Sequence, residues 1–121
     1  MRSIRLHQDS PRERGRAHGE AFRDEIGELA EIRLELLQRR SPIKGLDRLL
    51  DLAQAHVPVL ERISPDLGRE FQGIAEAANV SPAKLVVLNH YTDIRDVRVP
   101  IQGEEGGCSI LYGRGLNGPV L

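Results

Sequence analysis

The sequence predicts an α+β fold, in which a helical front part leads into the first strands of a sheet. Up to about Tyr91, apolar residues recur at helical spacing with charged residues between them. After Asp93 the pattern changes to alternating apolar residues, glycine-rich turns and short strand-like runs. The single cysteine, Cys108, stands in the second kind of sequence, close to the border.

Two amphipathic helices are expected first. One spans residues 20–40 and stops at Ser41-Pro42, because the residue before a proline is pushed out of the α region. A second apolar stripe covers residues 46–60, and Pro58 should kink or break it because proline lacks an N–H. The earlier run 12–16, rich in arginine, is expected to form a solvated, loose loop rather than a phosphate-binding patch.

Ser-Pro pairs mark the start of two further helices. Ser64-Pro65 places a capping hydroxyl before a first-turn proline, and that helix should end at Asn79, a residue type that tolerates left-handed backbone. Ser81-Pro82 repeats the signal and opens a helix to about Tyr91. We expect these boundaries to be the best determined in the chain.

Extended segments are expected next. Residues 95–102 alternate apolar and polar positions beside Pro100, which predicts an edge strand or an extended linker. Residues 103–107 resemble a turn, 108–112 a strand and 113–118 a hairpin. Because two short strands do not form a stable sheet alone, we expect the chain to be the front part of a larger protein.

Composition excludes several classes of partner. The net charge is −1, with 17 basic and 18 acidic residues interleaved, so no basic face for nucleic acid stands out. A single cysteine cannot form an intrachain disulfide. No stretch approaches the roughly 20 apolar residues that cross a bilayer. We therefore expect a cytoplasmic protein without a nucleic-acid or membrane partner.

The four histidines give no clear metal or cofactor site. A His-x-x-Asp-x-x-Asp run begins at His90, but no second histidine lies nearby in the sequence, so we expect neither a metal nor a cofactor. His18 is expected in a loop or cap before the first helix. His7 and His56 have no predicted role.

Cys108 is the candidate nucleophile. Gly106 and Gly107 precede it and allow a strained backbone, which attack of the thiol on the carbonyl of Gly107 would require. Cleavage there would leave Cys108 as a new N-terminus whose own α-amine can act as a base. Spacing alone also allows a plainer interpretation, in which Cys108 is a buried small apolar residue at the start of a strand.

Three stretches together carry a family resemblance. They are Gly15–Glu20 (GRAHGE), Gly73–Asn89 (GIAEAANVSPAKLVVLN) and Gly107–Ser109 (GCS). In this order they resemble the acyl-coenzyme A:6-aminopenicillanate (isopenicillin N) acyltransferase family, whose members are N-terminal nucleophile hydrolases. The resemblance covers most of the chain, and its specific part is the helix-turn-helix stretch with the downstream Gly-Cys pair.

The resemblance implies an αββα sandwich and an inactive precursor that cleaves itself before Cys108. Residues 1–107 would be a helical front chain, and residues 108–121 the start of the catalytic chain. Cys108 matches the family's nucleophile, and Gly107 supplies the scissile carbonyl. The family's Gly-Gln-Asn-Trp-Asp-like strand and its oxyanion-stabilising residues do not occur up to Leu121. We therefore expect this fragment to be inactive alone.

The predicted activity is that of a cysteine amidohydrolase or acyltransferase. Its substrate would be a small N-acyl amide or acyl thioester, handled through an acyl-cysteine intermediate, and the front chain's partner would be the remainder of the catalytic chain. One alternative is a small helical interaction module in which Cys108 is structural. Another is a cysteine hydrolase that uses the thiol without cleaving itself.

Overall fold

The computed structural model describes residues 2–97, together with the backbone of residues 113–115 and 118–120. The described part forms these helices: α1 (Pro11–Ala21), α2 (Arg23–Arg40), α3 (Leu46–Gln54), α4 (His56–Ile63), α5 (Pro65–Ala78), α6 (Pro82–Asn89) and α7 (Tyr91–Arg95). Two short strands, β1 (Gly113–Gly115) and β2 (Gly118–Val120), pair antiparallel, with Gly113 opposite Val120.

The predicted α+β fold class is wrong, because the part of the chain that the structure describes is almost entirely helical. Residues 2–97 contain helices and no strand, and β1 and β2 have three residues each, too few to form a sheet that covers a layer of helices. The run that begins at Arg95 is not extended at its start. Arg95 belongs to α7, and the Asp96 N–H donates to the carbonyl of Thr92, which continues the helical pattern. The strand expected at 108–112 lies outside the described residues.

The apolar core lies among α2, α3, α5 and α6, with α7 closing one side. Its most deeply buried large apolar side chains are Leu37, Leu49, Val87 and Ile94. Full burial of one aliphatic side chain stabilises the folded state by roughly 1.5–3 kcal/mol. The core therefore draws on residues from nearly the whole helical part.

The Ser-Pro boundaries are confirmed. The Ser64 hydroxyl accepts the N–H of Leu67 at 3.3 Å, and the Ser81 hydroxyl accepts the N–H of Lys84 at 3.2 Å. Asn79 ends α5 in the left-handed conformation, with φ 57° and ψ 42°. These caps satisfy backbone groups that a helix end otherwise leaves without partners.

The break expected at Pro58 occurs three residues earlier. α3 ends at Gln54 and α4 begins at His56, so Pro58 lies in the first turn of α4. N–H groups in a first turn have no partner within the helix, and a proline there removes nothing that the helix needs. Pro58 is therefore accommodated in the first turn of α4 and does not kink a longer helix.

The prediction of a loop at residues 12–16 is wrong, because these residues lie inside α1. The Ser10 hydroxyl caps this helix, with Pro11 at the first helical position, which is the same Ser-Pro signal found at α5 and α6. His18, expected before the first helix, also lies within α1, and its ring centroid is 5.8 Å from that of Phe22. The arginines of this segment belong to a helix that packs along α5.

α1 and α5 pack with their backbones in contact. A Cβ atom added at Gly15 would lie 2.0 Å from the carbonyl oxygen of Glu70, and one added at Gly73 would lie 2.2 Å from that of Arg12. Real Cβ atoms do not approach backbone oxygens so closely, and only glycine fits at these two positions. This helix pair has the most extensive contact between helices of the described part.

Ion pairs border this glycine contact. The Glu76 carboxylate of α5 accepts from Arg12 at 2.7 Å and from Arg16 at 3.0 Å. The hydrogen bond from Arg12, together with the charges of both arginines, holds the pKa of Glu76 below its usual range, although partial desolvation acts in the opposite direction.

α2 supplies two arginines that cap other helices. The Nε of Arg23 donates to the carbonyl of Ala77 in the last turn of α5, at 2.8 Å. A guanidinium nitrogen of Arg33 donates to the carbonyl of Leu88 in the last turn of α6, at 2.5 Å. Cations are favourable at helix C-termini, where carbonyls lack partners.

Replacing Gly15 by alanine should destabilise the protein. Alanine gains about 1 kcal/mol of helix propensity over glycine, but the clash with the Glu70 carbonyl should outweigh it and lower the free energy of unfolding by about 2 kcal/mol. Gly27→Ala is the matched control, because a Cβ at Gly27 meets nothing within 4 Å. Chemical unfolding followed by circular dichroism should rank Gly27→Ala above the wild type and Gly15→Ala below it; equal stability of the two variants would contradict the packing described.

Glu76→Gln should lower the melting temperature at pH 7, and this deficit should shrink as the solution is made more acidic. The pKa of Glu76 is lower in the folded state, so its stabilising effect is fully present above the unfolded pKa of about 4.3 and is lost as the pH falls through the depressed folded-state pKa. Glu28→Gln, at an exposed position of α2, should change little over the same pH range. A deficit of the Glu76 variant that does not shrink on acidification would show that its cause is not the carboxylate charge.

Candidate functional site

The predicted nucleophile site lies outside the described residues. Gly107 and Cys108 both fall in the range 98–112, so the nucleophile, the scissile carbonyl and the proposed division at 107/108 remain predictions. All helices of the described part lie upstream of that division.

An apolar groove of about 330 Å³ lies where α3 passes into α4 and where α6 ends. Its lining consists of Leu52, Ala55, His56, Val59, Leu60, Ile63 and His90. Val59 and Ile63 are 43% and 76% exposed, so part of this apolar wall faces solvent. The two imidazoles are the polar side chains in the lining.

The two histidines of the groove come from distant parts of the sequence and meet face to face. The ring centroids of His56 and His90 are 5.6 Å apart, and the ring planes differ by 26°. The Nδ1 of His56 lies 2.9 Å from the carbonyl oxygen of Leu52. The Nδ1 of His90 lies 3.2 Å from a carboxylate oxygen of Asp93. Each imidazole ring is therefore held in place by a contact of its Nδ1 atom.

The acidic residues that follow His90 do not converge on one point. Asp93 contacts His90, whereas Asp96 accepts from Arg95 at 2.8 and 3.0 Å. In the described residues, no group of three or more His, Cys, Asp or Glu side chains comes together in a way that could hold a metal ion. The run beginning at His90 is therefore not a metal cluster of its own.

Tyr91 lies next to the groove between two cations. The guanidinium carbons of Arg33 and Arg95 are 5.9 and 5.7 Å from its ring centroid. Its hydroxyl oxygen is buried, and no described residue makes a hydrogen bond of good geometry with it, although the Arg95 guanidinium lies close enough to interact with it. The hydrogen bond to Asp96 raises the pKa of Arg95 above its ordinary value, so this cation stays charged beside the ring.

Sequence reasoning missed the groove and its histidine pair. His56 had no predicted role, and nothing local in the sequence places it next to His90, because the pair arises only when α4 packs against the end of α6. α1 was also missed, although Ser10-Pro11 carried a usable signal.

Comparisons of the chain with protein-family models, with curated proteins and with solved structures gave no match. The resemblance to the acyltransferase family thus remains a prediction from the residues. Among the described helices, none combines the length and the apolar character that crossing a membrane requires.

Tyr91→Phe should stabilise the protein. Phenylalanine keeps the ring between Arg33 and Arg95 and removes a buried oxygen that lacks a hydrogen bond of good geometry, so the free energy of unfolding should rise by about 1 kcal/mol. Tyr91→Leu, the control, loses the aromatic ring and should lower the free energy of unfolding. Chemical unfolding measures both, and a loss of about 1 kcal/mol in the Phe variant would mean that the hydroxyl has a partner.

Proposed function

We propose that the protein is a cysteine N-terminal nucleophile amidohydrolase or acyltransferase that activates itself by cleavage between Gly107 and Cys108. The observation that carries this proposal is the order of the motifs: a pair of helices with a Ser-Pro cap, then a Gly-Gly-Cys-Ser run. The substrate class is a small N-acyl amide or acyl thioester. We place the activity in the cytoplasm, without a metal, cofactor, nucleic acid or membrane.

The described helices support this proposal in two ways. The stretch Gly73–Asn89, which carries the resemblance, folds as α5, a left-handed turn at Asn79, and α6. In addition, the core of the helical part runs from Ile26 to Ile94, upstream of the bond to be cleaved. Cleavage before Cys108 would therefore leave that core on one continuous chain.

The covalent steps of self-cleavage involve the nucleophile, its neighbour and water. The Cys108 sulfur attacks the carbonyl carbon of Gly107, the peptide C–N bond breaks, and a thioester forms as the nitrogen takes up a proton. Water hydrolyses the thioester, leaving the Gly107 carboxylate and a free α-amine on Cys108. In each later turnover this amine accepts the thiol proton, the thiolate attacks the substrate's acyl carbon, and the substrate's C–N or C–S bond breaks as the leaving amine or thiol takes that proton. Water or an amine then attacks the thioester, which releases the acyl group as an acid or an amide and returns the proton to the Cys108 sulfur.

The remainder of the catalytic chain has a defined part in this scheme. The negative charge on the tetrahedral intermediate must be stabilised by preorganised donors, which commonly contribute a factor of about 10²–10³ each. The stretches that carry the resemblance do not supply these donors, so the proposal assigns them to the remainder of the catalytic chain.

Self-cleavage is tested by intact-mass spectrometry of the full-length protein. The wild type should yield two chains that separate between Gly107 and Cys108, and Cys108→Ala should stay whole because it lacks the attacking sulfur. Ser109→Ala, one residue further on, is the matched control and should cleave. An intact, folded wild type, or cleavage of the Cys108→Ala variant at the same bond, would refute the mechanism.

A second candidate is a helical interaction module in which Cys108 is structural. The self-contained helical core favours it, as do the exposed apolar side chains of Ile63 and Leu67, 76% and 56% accessible. This candidate predicts that the peptide bond between Gly107 and Cys108 stays intact. It also predicts that iodoacetamide does not modify Cys108 in the folded protein. The amidohydrolase proposal instead predicts rapid alkylation of the mature N-terminal cysteine.

A further inference from the structure

We propose that the outward face of α2 is a docking surface for a basic amphipathic helix of a partner protein. This surface, the α2 face, consists of an exposed apolar row beside a row of carboxylates. The inference is independent of the proposed amide chemistry, because no residue of the α2 face takes part in it.

α2 carries two separate apolar rows. One row is buried against the other helices and consists of Ile26, Ala30, Leu34 and Leu37. The second row consists of Leu29, Ile32 and Leu36, whose spacing of three and four residues is that of a helix–helix contact. Leu29 and Ile32 are 39% and 47% exposed, and Leu36 is half-buried. The described helices therefore leave the second row partly open to solvent.

The apolar row continues into a groove of about 260 Å³ at the start of α2, beside the last turns of α1 and α6. The lining of this groove consists of His18, Phe22, Glu25, Ile26, Leu29 and Leu88. Surfaces that bind a helix commonly hold it by large apolar side chains inserted into such grooves. The α2 face thus combines an anchor groove with an apolar row that extends from it along the helix.

A row of carboxylates runs beside the apolar row. Asp24, Glu28, Glu31 and Glu35 are exposed and share one side of α2, about a quarter of the way round the helix from the apolar row. Lys84 pairs with Glu31, and Arg39 pairs with Glu35. Asp24 and Glu28 have no cationic partner among the residues that the structure describes. The border of the apolar row is therefore net negative.

Arg2 shows that the α2 face accepts a cation next to an apolar group. Its guanidinium carbon lies 4.9 Å from the centroid of the Phe22 ring, and its Nη1 pairs with Glu25 at 2.5 Å. Both partners belong to the groove lining. A lysine or arginine beside the apolar row of a partner helix would make the same kind of contact with the free carboxylates of α2.

The charges disfavour a second copy of this chain as the occupant. In an antiparallel pair of α2 helices centred on Ile32, the carboxylates of Glu28 and Glu35 would face the same residues of the other copy. A parallel pair would place Arg33 opposite Glu28. The Arg33 guanidinium, however, already donates to the carbonyl of Leu88. A helix with Lys or Arg beside its apolar row avoids both conflicts.

Fluorescence anisotropy with two synthetic peptides and the full-length protein tests the surface. Both peptides have about 18 residues and carry Leu at helical spacing. One has Lys at the remaining positions, and the other has Glu there. We expect the Lys peptide to bind about tenfold more tightly than the Glu peptide, a difference that added salt should reduce because exposed charges are screened.

Two pairs of variants locate the binding. Ile32→Asn should weaken binding of the Lys peptide about tenfold. Ile63→Asn should not, although Ile63 is 76% exposed, because it lies on α4, which makes no contact with α2. Glu28→Lys should weaken binding about fivefold. Glu13→Lys makes the same change of net charge at an exposed position of α1 and should bind as the wild type does.

The inference is overturned if the wild type binds neither peptide or binds both equally. It is also overturned if Glu28→Lys and Glu13→Lys weaken binding to the same extent, because net charge and not the α2 face would then be responsible. Sedimentation equilibrium should show no dimer that depends on this face. A wild-type dimer that Ile32→Asn converts to a monomer would make a second copy the occupant and refute the inference.

Discussion

The backbone contact between α1 and α5 is the constraint on which the helical part depends. Gly15 and Gly73 remove the side-chain atoms that would hold the two helices apart, and each faces a carbonyl oxygen of the opposite helix. At this short separation the arginines of α1 reach Glu76 on α5. α5 in turn carries the aromatic core residue Phe71 and ends at Asn79, from which the chain turns into α6. The position of α1 thus affects every element packed on α5.

Local chemistry made part of this fold predictable. A serine before a proline favours a helix start when a helical apolar pattern follows it, as at Ser64 and Ser81, whereas Ser41-Pro42 follows such a pattern and ends α2. The same signal at Ser10-Pro11 was overlooked, and the segment that follows it packs against α5, which no local pattern shows. The extended segment predicted at 95–102 is wrong at its start, because Arg95 belongs to α7. The strand predicted at 108–112 lies outside the described residues, and the hairpin predicted near 113–118 is present as β1 and β2.

The candidate sites differ in how far sequence can reach them. Cys108 could be proposed as a nucleophile from the sequence alone, because the argument uses only the thiol and the two glycines directly before it. The pairing of His56 with His90 could not be found, because it depends on the angle at which α4 meets the end of α6. A partner's hydrogen bond also fixes which imidazole nitrogen is free, and that partner is unknown until the fold is known. A site formed by residues adjacent in the sequence can be proposed from the sequence alone. A site formed by residues that only packing brings together cannot.

The two capping arginines of α2 limit how the length of this helix can vary. Arg23 and Arg33 each serve a different helix end, and they are about 15 Å apart along the α2 axis. That span has to match the separation between the ends of α5 and α6. Inserting or deleting one residue between them would rotate one guanidinium by about 100° relative to the other. Homologous chains should therefore tolerate substitutions between positions 23 and 33 but keep the same number of residues between them.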